Sequence, residues 1–548
     1  MIVGKVQNAL AFACFGAILL VSPSWNLDPI NFPKLIFIAV VISWAFAIYG
    51  PLDLYKNLKS RHFVELVLFS ALIVGIVIAT FRGGLSIERN LLGVFGRNAG
   101  TLSFAILSIS ALLAMAVSSK ALISKVFKVL IATWVIILIY NALQLIGWDP
   151  INWNYIYSAK TIGTFGNPNF NSGFLGICSA LVSPAIFSGA EKARLRIFFS
   201  SLVIFSGFII YVSGSIQGLF VIVVALMFSI ASSLLRKLRE IKYLRRTNGI
   251  IVTIASLTIA SLILGKGLIE RVGIGESLQT RIAYWAAAKN MILDYPLTGV
   301  GFDRFGDYFR NYRPIEFLEK YPGVSTSSSH NLFLDLGAFG GILILLPFLA
   351  LNLIAFKQLV RLSLNSKSFD AKELGIGLAW LGYLLQGLVS PFSIGIALPG
   401  WVLLGCLFSF CKSPQIVNQY ENRVSLRGKQ VLSSKKLIQG FTGISFAVAA
   451  LFPSASADFR FVASVKRLDV NSMKSIAVSW PQDEYRLLFF IDYLASNDLD
   501  KEAVDIAKYV VDEINPRSYS AWSVVLNSSE NSQERLEARG RLNALERS

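Results

Sequence analysis

The sequence predicts an all-α, polytopic membrane protein, and three observations carry that reading. Of its 548 residues, 54% are hydrophobic and 15% are charged, whereas soluble domains carry about 25% charged residues. Mean hydropathy is +0.59. The apolar residues also fall in runs of about twenty, the length a helix needs to cross a hydrocarbon core of roughly 30 Å. An ordinary soluble globule is excluded. The net charge of +18 does not point to nucleic acid, because Lys and Arg gather in the short connections between apolar runs, where cytoplasmic loops are basic. The partners this implies are anionic lipid headgroups and an anionic substrate.

About thirteen runs have spanning character. They cover Val6–Val21, Lys34–Tyr49, Phe63–Thr80, Thr101–Val117, Val126–Ile146, Phe170–Phe187, Ile197–Val212 and Ile216–Leu234. Gly249–Leu264, Leu332–Phe356, Leu374–Val389, Ile394–Phe410 and Leu437–Phe452 complete them. With the N-terminus in the cytoplasm, alternate loops are basic: Lys56/Lys59/Arg61, Lys120/Lys125, Lys192/Arg194/Arg196, Arg236–Arg246, Lys357–Lys372 and Arg423–Lys436. The opposite loops, at Asp28 and Asp149-Pro150, are acidic or neutral, which sets the orientation in a bacterial inner membrane. Lys5 before the first run imitates a signal peptide, but no small-residue cleavage site follows, so the expectation is an uncleaved anchor.

The resulting division has six parts. Residues 1–264 form the N-terminal spans, 265–331 a large outer loop, 332–411 further spans, 412–436 a basic cytoplasmic loop, 437–453 an additional span and 454–548 an outer helical tail. In the tail, Tyr485–Ala495 has helical periodicity, Asn497-Asp498 turns the chain, and Lys501–Ile514 resumes a helix before Asn515-Pro516. This predicts a tetratricopeptide-like hairpin that must pack on its neighbours. Pro453-Ser454-Ala455-Ser456-Ala457 resembles a signal-peptidase site, and an intact span is the preferred reading over cleavage after Ala457. Cys14, Cys178, Cys406 and Cys411 fall in apolar runs without metal-ligand spacing and read as small apolar fillers.

Chemistry concentrates in the outer loop. It contains Arg281 followed by Tyr284-Trp285, then Pro296-Leu297-Thr298-Gly299-Val300-Gly301, then Ser327-Ser328-Ser329-His330-Asn331 at the mouth of the next span. Pro296 and the glycines predict a helix ending in tight turns that fold the loop back over the membrane. Two further stretches stand out: Gly163–Phe170, with Asn167 and Asn169, and Leu92-Gly93 through Arg97 to Gly100.

Together these motifs resemble the O-antigen ligase and O-antigen polymerase superfamily over roughly residues 60 to 410. The resemblance implies a glycosyltransferase that moves a glycan from undecaprenyl diphosphate to lipid A-core, to another glycan or to protein. It also implies His330 and Arg281 as catalytic residues. Arg97, Arg304, Arg310, Asn167, Asn169, Trp285 and Asn331 would then bind substrate.

The physical chemistry agrees with this. A diphosphate leaving group needs fixed cations, and a hydroxyl acceptor needs a base or a positioning group, for which histidine is suited at neutral pH. Each assignment has a bland counterpart: a cap for His330, a headgroup contact for Arg281, a tight turn for Gly163–Phe170 and an interfacial aromatic belt for Trp148, Trp153, Tyr155 and Tyr157. His62, the second of two histidines, reads as interfacial. Family members carry an Arg after the serine corresponding to Ser215; here Ile216 stands there, with Arg97 or Arg82 as replacements. The one Asp-x-Asp, Asp498-Leu499-Asp500, reads as a helix start, so neither metal nor cofactor is expected. The rival class is a transporter or flippase of a lipid-linked sugar, which would place ionisable groups at mid-membrane.

Overall fold

A computed structural model describes residues 2–23, 25–82, 87–153, 159–187, 191–238, 274–364, 369–410 and 434–546. The expected span Gly249–Leu264, the loop residues 265–273, Tyr155, Tyr157, Cys411 and most of the basic clusters at 239–246 and 412–433 lie outside them. The described residues are helical with no strands. Twelve of the thirteen expected spans are helices, and nine of the described helices are long and apolar enough to cross a membrane. The protein is a polytopic all-α membrane protein.

Pro168–Phe187 lies near the centre, buried along most of its length, between Gln217–Leu238 and Ala371–Gly387. Without a hydrophobic drive between helices in lipid, such packing relies on small residues. A Cβ on Gly218 would sit 2.1 Å from the Ser172 carbonyl oxygen, and one on Gly375 the same distance from that of Leu181. Several polar side chains inside the bundle pair with one another or with backbone, as low dielectric favours. Asn141 and Asn171 exchange amide hydrogen bonds at 3.2 and 3.0 Å. Lys34 donates to the Thr164 carbonyl at 2.7 Å, with its Nζ 4.8 Å from the Phe165 ring centroid. Outward faces carry Phe63, Ile204, Phe208 and Tyr211.

Ile274–Asp294 carries Arg281 and ends where the sequence predicts, just before Pro296. The turn that follows does not hang in solvent; it docks on a break in Leu332–Leu364. At Gly341 this helix leaves helical geometry (φ 58°, ψ −151°). The opened backbone pairs with the turn: Val300 N–H donates to Ala338 O at 2.8 Å and Ile342 N–H to Pro296 O at 2.8 Å. A side chain would block both partners, since a Cβ on Gly299 falls 2.3 Å from Ala338 O and one on Gly341 2.4 Å from Pro296 O. The paired backbone groups of this junction need no partner from solvent.

The tail departs from expectation in three respects. Pro453 does not end its helix: Ser434–Arg467 runs through it. A proline inside a helix removes a hydrogen bond and crowds the preceding turn, but here packing holds both sides, with Ala447 and Leu451 in the membrane core and Ala457 and Phe461 buried beyond. The Ala-x-Ala sequence therefore sits inside a packed helix. Second, the tail holds two successive hairpins rather than one, formed by Glu484–Ala495, Asp500–Tyr509, Tyr519–Ser528 and Ser532–Glu546, around Leu487, Phe490, Ala503, Ala507 and Trp522. Third, Asp498 turns the chain as expected, in the left-handed region (φ 59°), but no side-chain cap bond starts the following helix.

Candidate active site

Three segments far apart in sequence meet at one end of the bundle: the Leu92–Gly100 turn, the helix bearing Arg281, and the Ser327–Asn331 turn. The last is shaped by Asp335, one turn into its helix. Its Oδ2 accepts from Ser328 Oγ at 2.6 Å, and its Oδ1 accepts from Ser329 N–H at 2.7 Å and Ser329 Oγ at 2.8 Å. Ser328 Oγ in turn accepts from His330 N–H at 2.9 Å. This brace holds His330 at φ 57°, a backbone region that costs a side-chain-bearing residue energy unless its surroundings impose it. Asn331 caps the helix, its Oδ1 accepting from Phe333 N–H and Leu334 N–H at 3.0 and 3.2 Å.

The His330 ring lies 5.5 Å from the Tyr284 ring, centroid to centroid. Tyr284 also meets Phe309 and Phe317 edge-on, forming an aromatic wall. Burial, with the nearby guanidinium groups of Arg281 and Arg97, pushes the His330 imidazole down to about 4. At neutral pH it is uncharged and able to accept a proton. Its Nδ1 is buried without a hydrogen-bond partner, as are Arg97 Nη1, Trp285 Nε1 and Asp303 Oδ1. Each such group costs about 1–3 kcal/mol unless a ligand or water satisfies it. Arg281 and Trp285 share a helix face by their four-residue spacing.

Arg97 is buried and donates through Nη2 to Ser327 Oγ. Its turn is held from two sides: Asp303 Oδ2 accepts from Val94 N–H at 2.6 Å, and Phe95 stacks on Tyr485 of the tail at 4.1 Å. Burial pushes the Asp303 carboxyl up to about 6, against the lowering by Arg97 and by Val94 N–H.

The other expected residues lie elsewhere. Arg304 donates to Asp307 at 2.8 Å and to Asn515 at 3.3 Å, and Arg310 to Glu546 at 3.0 Å; both are engaged with neighbouring acids or the tail. Arg313 is buried and binds the Pro322 and Val324 carbonyls. Asn167 Oδ1 accepts from Asn169 N–H at 2.8 Å inside its turn, and Asn169 Oδ1 accepts from Ser215 Oγ at 2.7 Å. Thus Ser215, without the family arginine beside it, serves a helix-to-helix link. Arg82 lies over the Tyr295 ring at 5.5 Å, whereas Arg97, with Arg281, acts on His330.

Sequence reasoning did not single out Asp335, Asp303 or Ser328–Ser329 for the site. Asp335 had a signal: a carboxylate at the fourth position of an apolar run is costly in a membrane and marks function by default. Asp303 had none, since only the docking of the loop turn brings it to Val94.

Fold and site together define a multi-pass membrane protein with a histidine and two arginines converging at one end of the bundle. Residues 201–349 match the O-antigen ligase family model, which supports the resemblance to the O-antigen ligase superfamily. Arg281 and His330 both fall inside the matched segment, whereas Arg97 and the tail fall outside it. No curated protein matches the chain.

Proposed function

We propose that the chain transfers a glycan from undecaprenyl diphosphate to a hydroxyl acceptor at the periplasmic face of the inner membrane. The observation that carries this reading is an uncharged, half-buried histidine, under the influence of the Arg281 and Arg97 guanidinium groups, in an O-antigen ligase-type segment. In the reaction the acceptor O–H bond breaks and its oxygen bonds to the anomeric carbon. The carbon–oxygen bond to diphosphate breaks in turn, and its electron pair leaves on the diphosphate. The imidazole of His330 takes the proton; Arg281 and Arg97 stabilise the charge gathering on the leaving diphosphate. Asp335 is a positioning residue that acts through the His330 turn. The buried charges inside the bundle argue against the transport reading: Lys34 is held by a backbone carbonyl and Asp335 by serines, so neither is open to a moving sugar. The orientation places the basic loops in the cytoplasm, with the loop and tail in the periplasm.

The test is transfer by purified protein in lipid nanodiscs, with a lipid-diphosphate-linked glycan as donor. His330→Ala should insert and fold normally yet lose transfer. Wild-type turnover by a well-folded His330→Ala protein would remove the histidine from the mechanism. In a deletion strain, loss of all polymer from lipid A-core with polymer retained on the carrier lipid means ligase, and single repeat units on the core mean polymerase.

A further inference from the structure

Between the outer loop and the tail lies a cleft of about 360 Å³, at the lower end of the roughly 300–1,000 Å³ of small-molecule sites. One wall is Ser325–Ser327, which runs directly into the His330 turn; the other is Gln482–Tyr485 with Ser518–Ser520 of the tail. We propose that this cleft is the acceptor site, and that it takes an uncharged, polyhydroxylated glycan. The proposal rests on the transfer reading above and adds what receives the glycan and which part of the chain selects it.

Three features carry it. The first is position: Ser327, on the wall of the cleft, accepts from Arg97, so an occupant ends against the same group that faces His330. The second is charge. Arg89 is shared between Asp307 and Glu484 at 2.6 Å each, and Arg310 binds Glu546 while its guanidinium lies 3.6 Å from the Tyr519 ring centroid. Arg517 donates to the Asp307 carbonyl at 3.0 Å. Arg89 and Arg310 are thus paired with carboxylates, and Arg310 and Arg517 lie over tyrosine rings, an arrangement that suits a sugar better than a diphosphate. Besides these groups and the carboxylates of Glu88 and Asp483, the walls present serine and threonine hydroxyls and the Gln482 amide, with the ring of Tyr485, 44% exposed, set flat on Phe95. Sugars are held by that combination of planar apolar faces and polar edges. The third is sequence: the family match covers the loop wall and stops at residue 349, before the tail begins. Arg281 and His330 thus lie in the matched segment, and the second wall lies outside it.

The experiment uses the full-length protein in nanodiscs, a lipid-diphosphate-linked glycan donor, and delipidated core oligosaccharide, dephosphorylated and stripped of acidic sugars, as the soluble acceptor. Ser325 and Ser520 are exposed and line opposite walls, so Ser325→Trp and Ser520→Trp fill the cleft independently. Each should raise the KM for core oligosaccharide about tenfold or more, while donor KM and the slow acceptor-independent hydrolysis of donor stay within about twofold of wild type. Thermal unfolding checks that each variant is folded, and either one alone decides the question. An unchanged acceptor KM in the folded variants overturns the proposal, as does an equal loss of donor hydrolysis, which would make the cleft part of the donor site. Transfer by wild type to protein serine or threonine instead of core sugar overturns the ligand class. Failure of the transfer reading itself shows differently: wild type does not turn over donor, or His330→Ala matches it.

Discussion

Replacing Asp335 by alanine should disable the site without touching any group that meets substrate. The carboxylate accepts three hydrogen bonds, two from hydroxyls and one from the Ser329 backbone N–H. The hydroxyls can turn to other partners, but the buried N–H cannot, and leaving it unpaired costs about 1–3 kcal/mol. That same brace holds His330 at positive φ, a conformation worth a further ~1–3 kcal/mol against a relaxed turn. If roughly 1.4–2.8 kcal/mol of this is released by letting the turn move, the competent population falls about tenfold to a hundredfold. The measurement is single-turnover transfer in nanodiscs, with donor binding followed separately. The expected result is kcat down about ten- to a hundredfold and donor affinity nearly unchanged, because Arg281 stands on a different helix. Asp335→Asn, which keeps one acceptor oxygen, should recover part of the rate. Wild-type kcat in a folded Asp335→Ala protein would refute the argument that the serine brace positions the histidine.

The remaining expectations follow from single features. Burial and two guanidinium groups hold the His330 imidazole down at about 4 against an ordinary 6.5, and the base is lost only when it protonates. The pH profile of kcat/KM should therefore stay flat as pH falls through 6.5 and drop only towards about 4; an acid limb centred near 6.5 would contradict the site's electrostatics. Arg281→Lys should transfer far more slowly than wild type, because one ammonium cannot reproduce a planar two-point phosphate contact; equal rates would end the bidentate role. Gly341→Ala forces a Cβ to within 2.4 Å of Pro296 O at φ 58°, and should cost about 2 kcal/mol or more, read as a lowered Tm in detergent. Gln533 is exposed on the last tail helix, so Gln533→Cys should react with an impermeant thiol reagent once the outer membrane is permeabilised. Labelling above the parent's background only after the inner membrane is broken would put the tail in the cytoplasm.

Composition and run length by themselves determined that this is a helical membrane protein, because an apolar run of about twenty residues fits a spanning helix in lipid, whereas a barrel strand needs about ten with alternating polarity. They located nearly every described span, since a twenty-residue apolar run has one low-energy conformation there. The candidates Arg281, Trp285, His330 and Asn331 stood out in the sequence because they cluster in a polar stretch between apolar runs; in the structure Asn331 caps a helix, and Arg281 lies near His330. Tertiary structure alone decided three matters. It showed that Arg304 and Arg310 answer to acids and to the tail, since an arginine's partner depends on what packs against it. It brought Asp303 to the Arg97 turn, through a docked glycine turn and a broken helix whose backbone pairing has no sequence period. And it carried the last apolar helix straight through Pro453 into the tail, because packing on both sides outweighs one lost hydrogen bond, a balance no local propensity contains.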